Sequence, residues 1–179
     1  MTPTIAAALR ARLWRLGERC LKALDWLRPL AQLAARIYVG SVFFRSGLTK
    51  IHDWGTTLAL FQDEYMVPLL NSSVAAYLAT GAELVFPVLL VAGLFGRFAA
   101  VGLSVLNIVA LISLMDVPDT ALMGHAFWGS LLGFIVLWGP GVLSVDRWLI
   151  PRLRAWALGS AVDGQAGARP GTRRLNRWA

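Results

Sequence analysis

The chain is poor in cysteine, histidine and charge. Cys20 is the single cysteine in 179 residues, so no internal disulfide and no CxxC redox pair can form. No zinc-ligand spacing appears, and no metal site is expected. His52 and His125 are the only histidines. They could pair on a haem, but no second pair and no flanking motif accompany them, which argues against haem. Charged residues make up 15% of the chain, where a soluble domain carries about 25%. Also missing are a glycine-rich phosphate loop, a nucleophile elbow and paired catalytic carboxylates.

What is abundant is apolar sequence in long runs. The chain is 57% hydrophobic, with a mean hydropathy of +0.61. This predicts an all-α integral membrane protein, a single four-helix bundle in the lipid bilayer, with no room for a second domain. Net charge is +7. The basic residues flank the apolar runs, which points to membrane orientation rather than to nucleic acid.

Three regions are expected. Residues 1–28 lack the gathered apolar core and cleavage site of a signal peptide. Leu9, Leu13, Leu16, Cys20, Leu24 and Leu27 recur at spacings of three and four, with Arg12, Arg15, Arg19 and Lys22 on another face. That is the pattern of an amphipathic helix lying in the membrane surface, the alternative being a frayed basic tail that only sets topology. Pro29 is placed to end it or to begin the next helix. Residues 29–149 form the membrane domain, with spans at about 30–50, 74–95, 98–115 and 121–138. A short surface helix fits within Trp54–Met66, and Asp116–Asp119 makes an acidic turn. Residues 150–179 form a basic tail, helical at first from Arg147 to Leu158 and disordered from Gly159.

Arg and Lys cluster in the N-terminal segment, at Arg97 and from Arg147 onward. The opposite loops hold Asp53, Asp63, Glu64, Asp116 and Asp119. The positive-inside rule then places both termini in the cytoplasm of a bacterial-type inner membrane.

Polar residues inside the spans are the candidate site. Arg36, Arg45, Glu83, Asn107 and His125 all fall within apolar runs, and a charge at the bilayer centre costs about 2.5–3.5 kcal/mol on insertion scales. Glu83 is the only carboxylate in a span, so it is protonated or paired, with Arg36 or Arg45 as the obvious partner. Arg36 and Arg45 are nine residues apart and point to opposite sides of a helix. Arg36 shares a face with Gln32, Gly40, Gly47 and Lys50 or Ile51, a small-residue face suited to close packing. Arg45 shares one with Tyr38, Ser41, Thr49 and His52, and could line a wet cavity. One reading is a buried ion pair that only fixes helix register. The other is an outward-facing polar site of Arg45, Glu83, Asn107 and His125, able to bind a quinone head group or relay protons. Trp128 and Trp138 read as interface anchors. Gly129 and Gly133 form a GxxxG that marks a close helix contact.

Three stretches carry a resemblance. RIYVGSVFFRSGLTK resembles the first span of the DoxX family, with Arg36, Gly40, Phe44, Gly47 and Lys50 in the family's places. GAELVFPVLLVAGLFGR is similar to its second span, with Glu83, Gly93 and Arg97. GPGVLSVD is similar to its C-terminal signature, at Gly139, Pro140, Gly141, Ser144 and Asp146. The resemblance runs from about Leu33 to Trp148. It implies a four-helix inner-membrane bundle. The family name comes from a subunit of a thiosulfate:quinone oxidoreductase, and related members accompany redox or stress-response proteins. Members suited to thiol transfer carry cysteine pairs, which this chain lacks.

The expectation is thus a membrane subunit or accessory of a quinone-linked redox system, with quinone as the cofactor in view and catalysis left open. The alternatives are a non-catalytic scaffold that docks a partner protein or a second copy, and a transport accessory for a small solute or metal.

Overall fold

In a computed structural model, residues 5–65, 67, 69–114 and 117–166 are described. Met66, Asp116 and the tail beyond Ala166 lie outside the described residues. Six helices and no strands are present among the described residues: α1 (Ile5–His52), α2 (Trp54–Asp63), α3 (Ser72–Ala92), α4 (Gly96–Ser113), α5 (Asp119–Trp138) and α6 (Asp146–Ala166). The chain divides into a unit ending at Asp146 and a second comprising residues 147–179.

The N-terminal segment differs from expectation. α1 runs without interruption for 48 residues across Pro29, so no separate surface helix is set off from the first apolar segment. Proline lacks one ladder donor, and the strong helix formers on either side carry the helix past it. Every residue from Leu9 to Arg28 is exposed.

Three helices, α3, α4 and α5, are long and apolar enough to cross a membrane. The second half of α1 is interrupted by Arg36, Arg45 and Lys50. α3, α4 and α5 carry large apolar side chains outward as well as inward, including Val85, Val88, Phe98, Ile108, Ile112 and Phe127. A helix apolar all round suits a lipid surround.

α1 packs on α3, α3 on α4, α4 on α5, and α5 touches α1. They share one core, made by Val39 and Phe43 of α1, Leu90 of α3, Ala99, Ala100 and Leu103 of α4, and Leu132 and Ile135 of α5. The small-residue face of α1 makes the close approach to α3. A Cβ on Gly40 would lie 2.8 Å from Val91, and one on Gly47 would lie 3.0 Å from Leu84. α2 is short, capped by Asp53, whose carboxylate accepts from Thr56 N at 3.0 Å. It covers the start of α3 through Phe61, Ala75 and Ala76.

Helix ends also shift. α3 stops at Ala92 rather than Phe95 because Gly93 turns left-handed, at φ +67°. Such a residue ends a helix at low steric cost when it is glycine. Phe95 is left-handed too, at φ +49°, and α4 starts at Gly96, before the expected start near Phe98. α6 runs to Ala166, past the expected end at Leu158.

Candidate functional site

Polar residues gather at the two ends of the first unit. Arg36 and Lys50, fourteen residues apart on one face of α1, each anchor one, about 21 Å apart at 1.5 Å per residue.

Arg36 is fully buried. Its Nη1 donates to the carbonyls of Leu90 (3.5 Å) and Val91 (3.2 Å), and its Nη2 donates to Leu143 O. These include orphan carbonyls at the end of α3, which need donors once buried. The fork therefore ties α1 and α3 to the segment after α5. That segment docks by its backbone: Val145 N donates to Ala92 O (3.2 Å) and Asp146 N to Gly93 O (2.9 Å). Asp146 then caps α4 from 50 residues away. Its Oδ1 accepts from Phe95 N at 2.7 Å and its Oδ2 from Gly96 N at 2.8 Å. The carboxylate satisfies two orphan donors where the N-cap residue itself, Phe95, has no side-chain bond to offer. Gly139 and Gly141 are both left-handed in φ, and Ser144 Oγ donates to Gly141 O at 2.7 Å. The GPGVLSVD segment thus builds a joint between helices.

The other end holds a different arrangement. Lys50 Nζ donates to Glu83 Oε2 at 2.6 Å, to Oε1 at 2.7 Å and to Ser46 Oγ at 2.9 Å. Ser46 Oγ donates to Glu83 Oε1 at 3.1 Å. The Lys50 and Glu83 side chains retain 19% and 9% of their exposure. Glu83 is therefore paired with Lys50, and neither Arg36 nor Arg45 reaches it. Lys50 sits one turn beyond Ser46, where Gly47 brings α1 against Glu83 Cβ. Arg36 is committed to carbonyls at the far end. Arg45 is exposed on the opposite face of α1, which leaves it outside the site.

The ion pair lines a cavity of about 660 Å³. Its walls come from α1, α2, α3, α4, α5 and the segment after α2. They are mostly apolar, with Phe43, Leu78, Phe86, Val105, Leu106 and Trp128 prominent. Ser46, Tyr65, Ser113 and His125 supply the remaining polar lining. Tyr65, after α2, lines the cavity and pairs its backbone with Leu114. Burial, Glu64 and Glu83 raise its phenol above the ordinary range, so it stays protonated.

His125 and Asn107 are brought together as a pair. Asn107 Nδ2 donates to the carbonyl of His125 at 2.9 Å, and Asn107 Oδ1 faces His125 Nδ1 at 2.8 Å. Gly129 makes room, since a Cβ there would meet Asn107 Nδ2 at 3.2 Å. Gly133, the second glycine of the GxxxG, meets open space. Asn107 does not line the cavity itself. Trp128, expected at the interface, instead lines the cavity and packs edge-on against Phe43 and His125. Its indole lies one turn beyond His125 on the inward face of α5. His52 is exposed at the end of α1. Among the described residues no three His, Cys, Asp or Glu side chains cluster as metal ligands.

In the sequence Lys50 stands out as a motif residue and a face neighbour of Arg36, but not as the partner of Glu83. The signal for its role was its shared face with Arg36 and its i, i+4 spacing from Ser46.

The DoxX family model matches residues 31–116, a range containing Arg36, Lys50, Glu83 and Asn107. A chain of Haemophilus influenzae described as "Uncharacterized protein" is 32% identical over 123 residues, covering 64% of this chain and 80% of the relative. No solved structure matches. The chain belongs to the DoxX family of proteins.

Proposed function

We propose that this protein is the membrane subunit of a quinone-linked redox system, with the cavity behind the Lys50–Glu83 pair as the head-group site. In this reading α1 from about Leu30 to Lys50 is the fourth span of a bundle with α3, α4 and α5. Both termini lie in the cytoplasm and the membrane is the bacterial inner membrane. The basic residues of the first half of α1, Arg97 and Arg147 support that orientation, with Asp53, Asp63, Glu64 and Asp119 on the opposite side and Lys50 the one basic residue at that edge.

The observation that carries the reading is the cavity itself. About 660 Å³ of mostly apolar space, with one ion pair and a histidine at its wall, has the size and polarity of a site for one ring-bearing ligand. Lys50 and Glu83 neutralise each other, so a neutral ligand meets no uncompensated charge. The polar groups orient one end of the ligand, and the apolar walls hold the rest by area burial. Purification from native membrane, followed by solvent extraction and mass spectrometry, tests this. About one quinone per chain is expected, and Ala79→Phe, which narrows the cavity, lowers that occupancy. Absence of quinone from the wild-type extract contradicts the reading.

The exposed first half of α1 favours a second role beside the first. Leu9, Leu13, Trp14, Leu16, Leu21 and Leu24 all face outward, and contiguous exposed apolar surface marks an interaction site. As a scaffold, the protein would lose a co-purifying partner when residues 1–28 are deleted, while its membrane helices remain folded.

A further inference from the structure

The first half of α1 is long, continuous with the second, and bare. Every residue from Leu9 to Arg28 is exposed, and α1 passes Pro29 without a break. At 1.5 Å per residue, residues 5–29 extend roughly 37 Å beyond the part of α1 that packs in the bundle. The apolar residues of this extension follow a heptad. Leu13, Cys20 and Leu27 fall seven apart, as do Leu9, Leu16, Ala23 and Leu30, and the two sets alternate at spacings of four and three. That is the pattern of a coiled-coil seam, with the first set at a and the second at d.

The polar residues are arranged around that seam. Glu18 and Asp25 lie at f, on the far side, and both are engaged within the helix. Trp14 Nε1 donates to Glu18 at 2.7 Å, and Arg28 pairs with Asp25 at 3.1 Å. Between parallel helices, a g residue meets the e residue of the partner's next heptad. Arg12, Arg19 and Trp26 at g then face Gly17, Leu24 and Ala31 at e. From Arg12 onward no cation opposes a cation across the seam, and the arginine stems can lie over its apolar layers. Gly17 weakens the helix, yet a Cβ there would meet nothing of this chain. A second helix gives that gap an occupant, the stem of the partner's Arg12.

We infer that Leu9–Leu30 forms a parallel two-stranded coiled coil with the same segment of a second copy, outside the membrane. This rests on the placement of α1 as a span and names the partner of the scaffold role. A bilayer surface is the competing occupant for an apolar helix face. To lie flat on it, the helix must turn sharply where the span ends, and α1 is helical through that point. A helix that continues straight out of its span carries its first half away from lipid. The membrane gives every copy one orientation, so two such helices leave it side by side and parallel, as the seam requires.

The test uses the full chain in membranes, where Cys20 is its single cysteine. Bismaleimidoethane should join two copies through Cys20. In a Cys20→Ala background, Leu13→Cys and Leu27→Cys should each cross-link to its own kind, and Glu18→Cys, on the far side, should not. Leu16→Glu should lower the Cys20 cross-link about tenfold and leave the melting of the membrane helices unchanged. Single-molecule photobleaching in liposomes should show two steps for the full chain and one after deletion of residues 1–28. The inference is overturned if Glu18→Cys cross-links as well as Cys20 does, or if the Cys20 cross-link survives Leu16→Glu. One-step bleaching of the full chain also overturns it, and a foreign protein then lost with residues 1–28 keeps the scaffold role. A spin label at Leu16→Cys that reports lipid depth overturns it in favour of the bilayer surface. Cross-linking only between Leu13→Cys and Leu27→Cys chains means antiparallel helices, and the placement of α1 as a span falls with the inference.

Discussion

The Lys50 ammonium lies within 2.7 Å of both oxygens of the Glu83 carboxylate, joining the last turns of α1 to the middle of α3 at the wall of an apolar cavity. A paired charge in that setting is safer than a single one. Glu83→Gln or Lys50→Met alone leaves its partner uncompensated and should destabilise by about 3–5 kcal/mol. The double substitution should recover most of that loss. Denaturant titration of the four forms in mixed micelles checks this, and a double mutant as unstable as the singles refutes the coupling.

The two arginines of α1 should behave unlike each other. Arg36 gives a planar fork to carbonyls on α3 and after α5. A lysine ammonium cannot reproduce that geometry. Arg36→Lys should therefore lower thermal stability by several degrees, a loss of about 1–3 kcal/mol for unmatched buried carbonyls. Arg45→Ala should fall within about 0.5 kcal/mol of wild type, as exposed substitutions do.

Much of this division was legible in the sequence. The helical wheel separates Arg36 from Arg45 and puts Arg36, Gly40, Gly47 and Lys50 on one packing face, and α1 meets α3 on that face. The partner of Glu83 was not legible. Depth along a helix nominates any cation within reach, and only the pairing of α1 with α3 shows that Lys50 arrives first. The continuity of α1 through Pro29 was hidden for a similar reason. Proline weakens a helix locally, and the flanking residues decide whether it continues. Trp128 read as an interface anchor because tryptophan favours that depth, while its inward direction depends on the rotation of α5.

The joint at the other end should depend on Asp146. Its carboxylate caps the first turn of α4 and holds Phe95 in a left-handed conformation. Asp146→Ala should cost about 0.5–2 kcal/mol. Hydrogen exchange should show the amides of Phe95 and Gly96 opening first. Unchanged protection at both amides would remove the cap from the picture.

Acid should loosen α2 late. Thr56 donates to Asp53 from both its backbone N and its hydroxyl, and this lowers the Asp53 carboxyl below its ordinary value of about 3.8. A carboxyl depressed in the folded state adds stability above the unfolded value, and that stability is lost as pH falls through the folded one. The Thr56 amide should therefore stay protected at pH 3.8 and exchange freely only at lower pH. Asp53→Asn should remove that acid dependence.

Photoaffinity labelling is the most direct measurement of the central claim, that the Lys50–Glu83 cavity receives a quinone-like ring. An azidoquinone irradiated with the full chain in native membrane, followed by peptide mass spectrometry, should mark Phe86, Val105, Leu106 or Trp128, with labelling reduced by Ala79→Phe. Adducts confined to the Arg45 face of α1, or labelling of the cavity residues undiminished by Ala79→Phe, would contradict it.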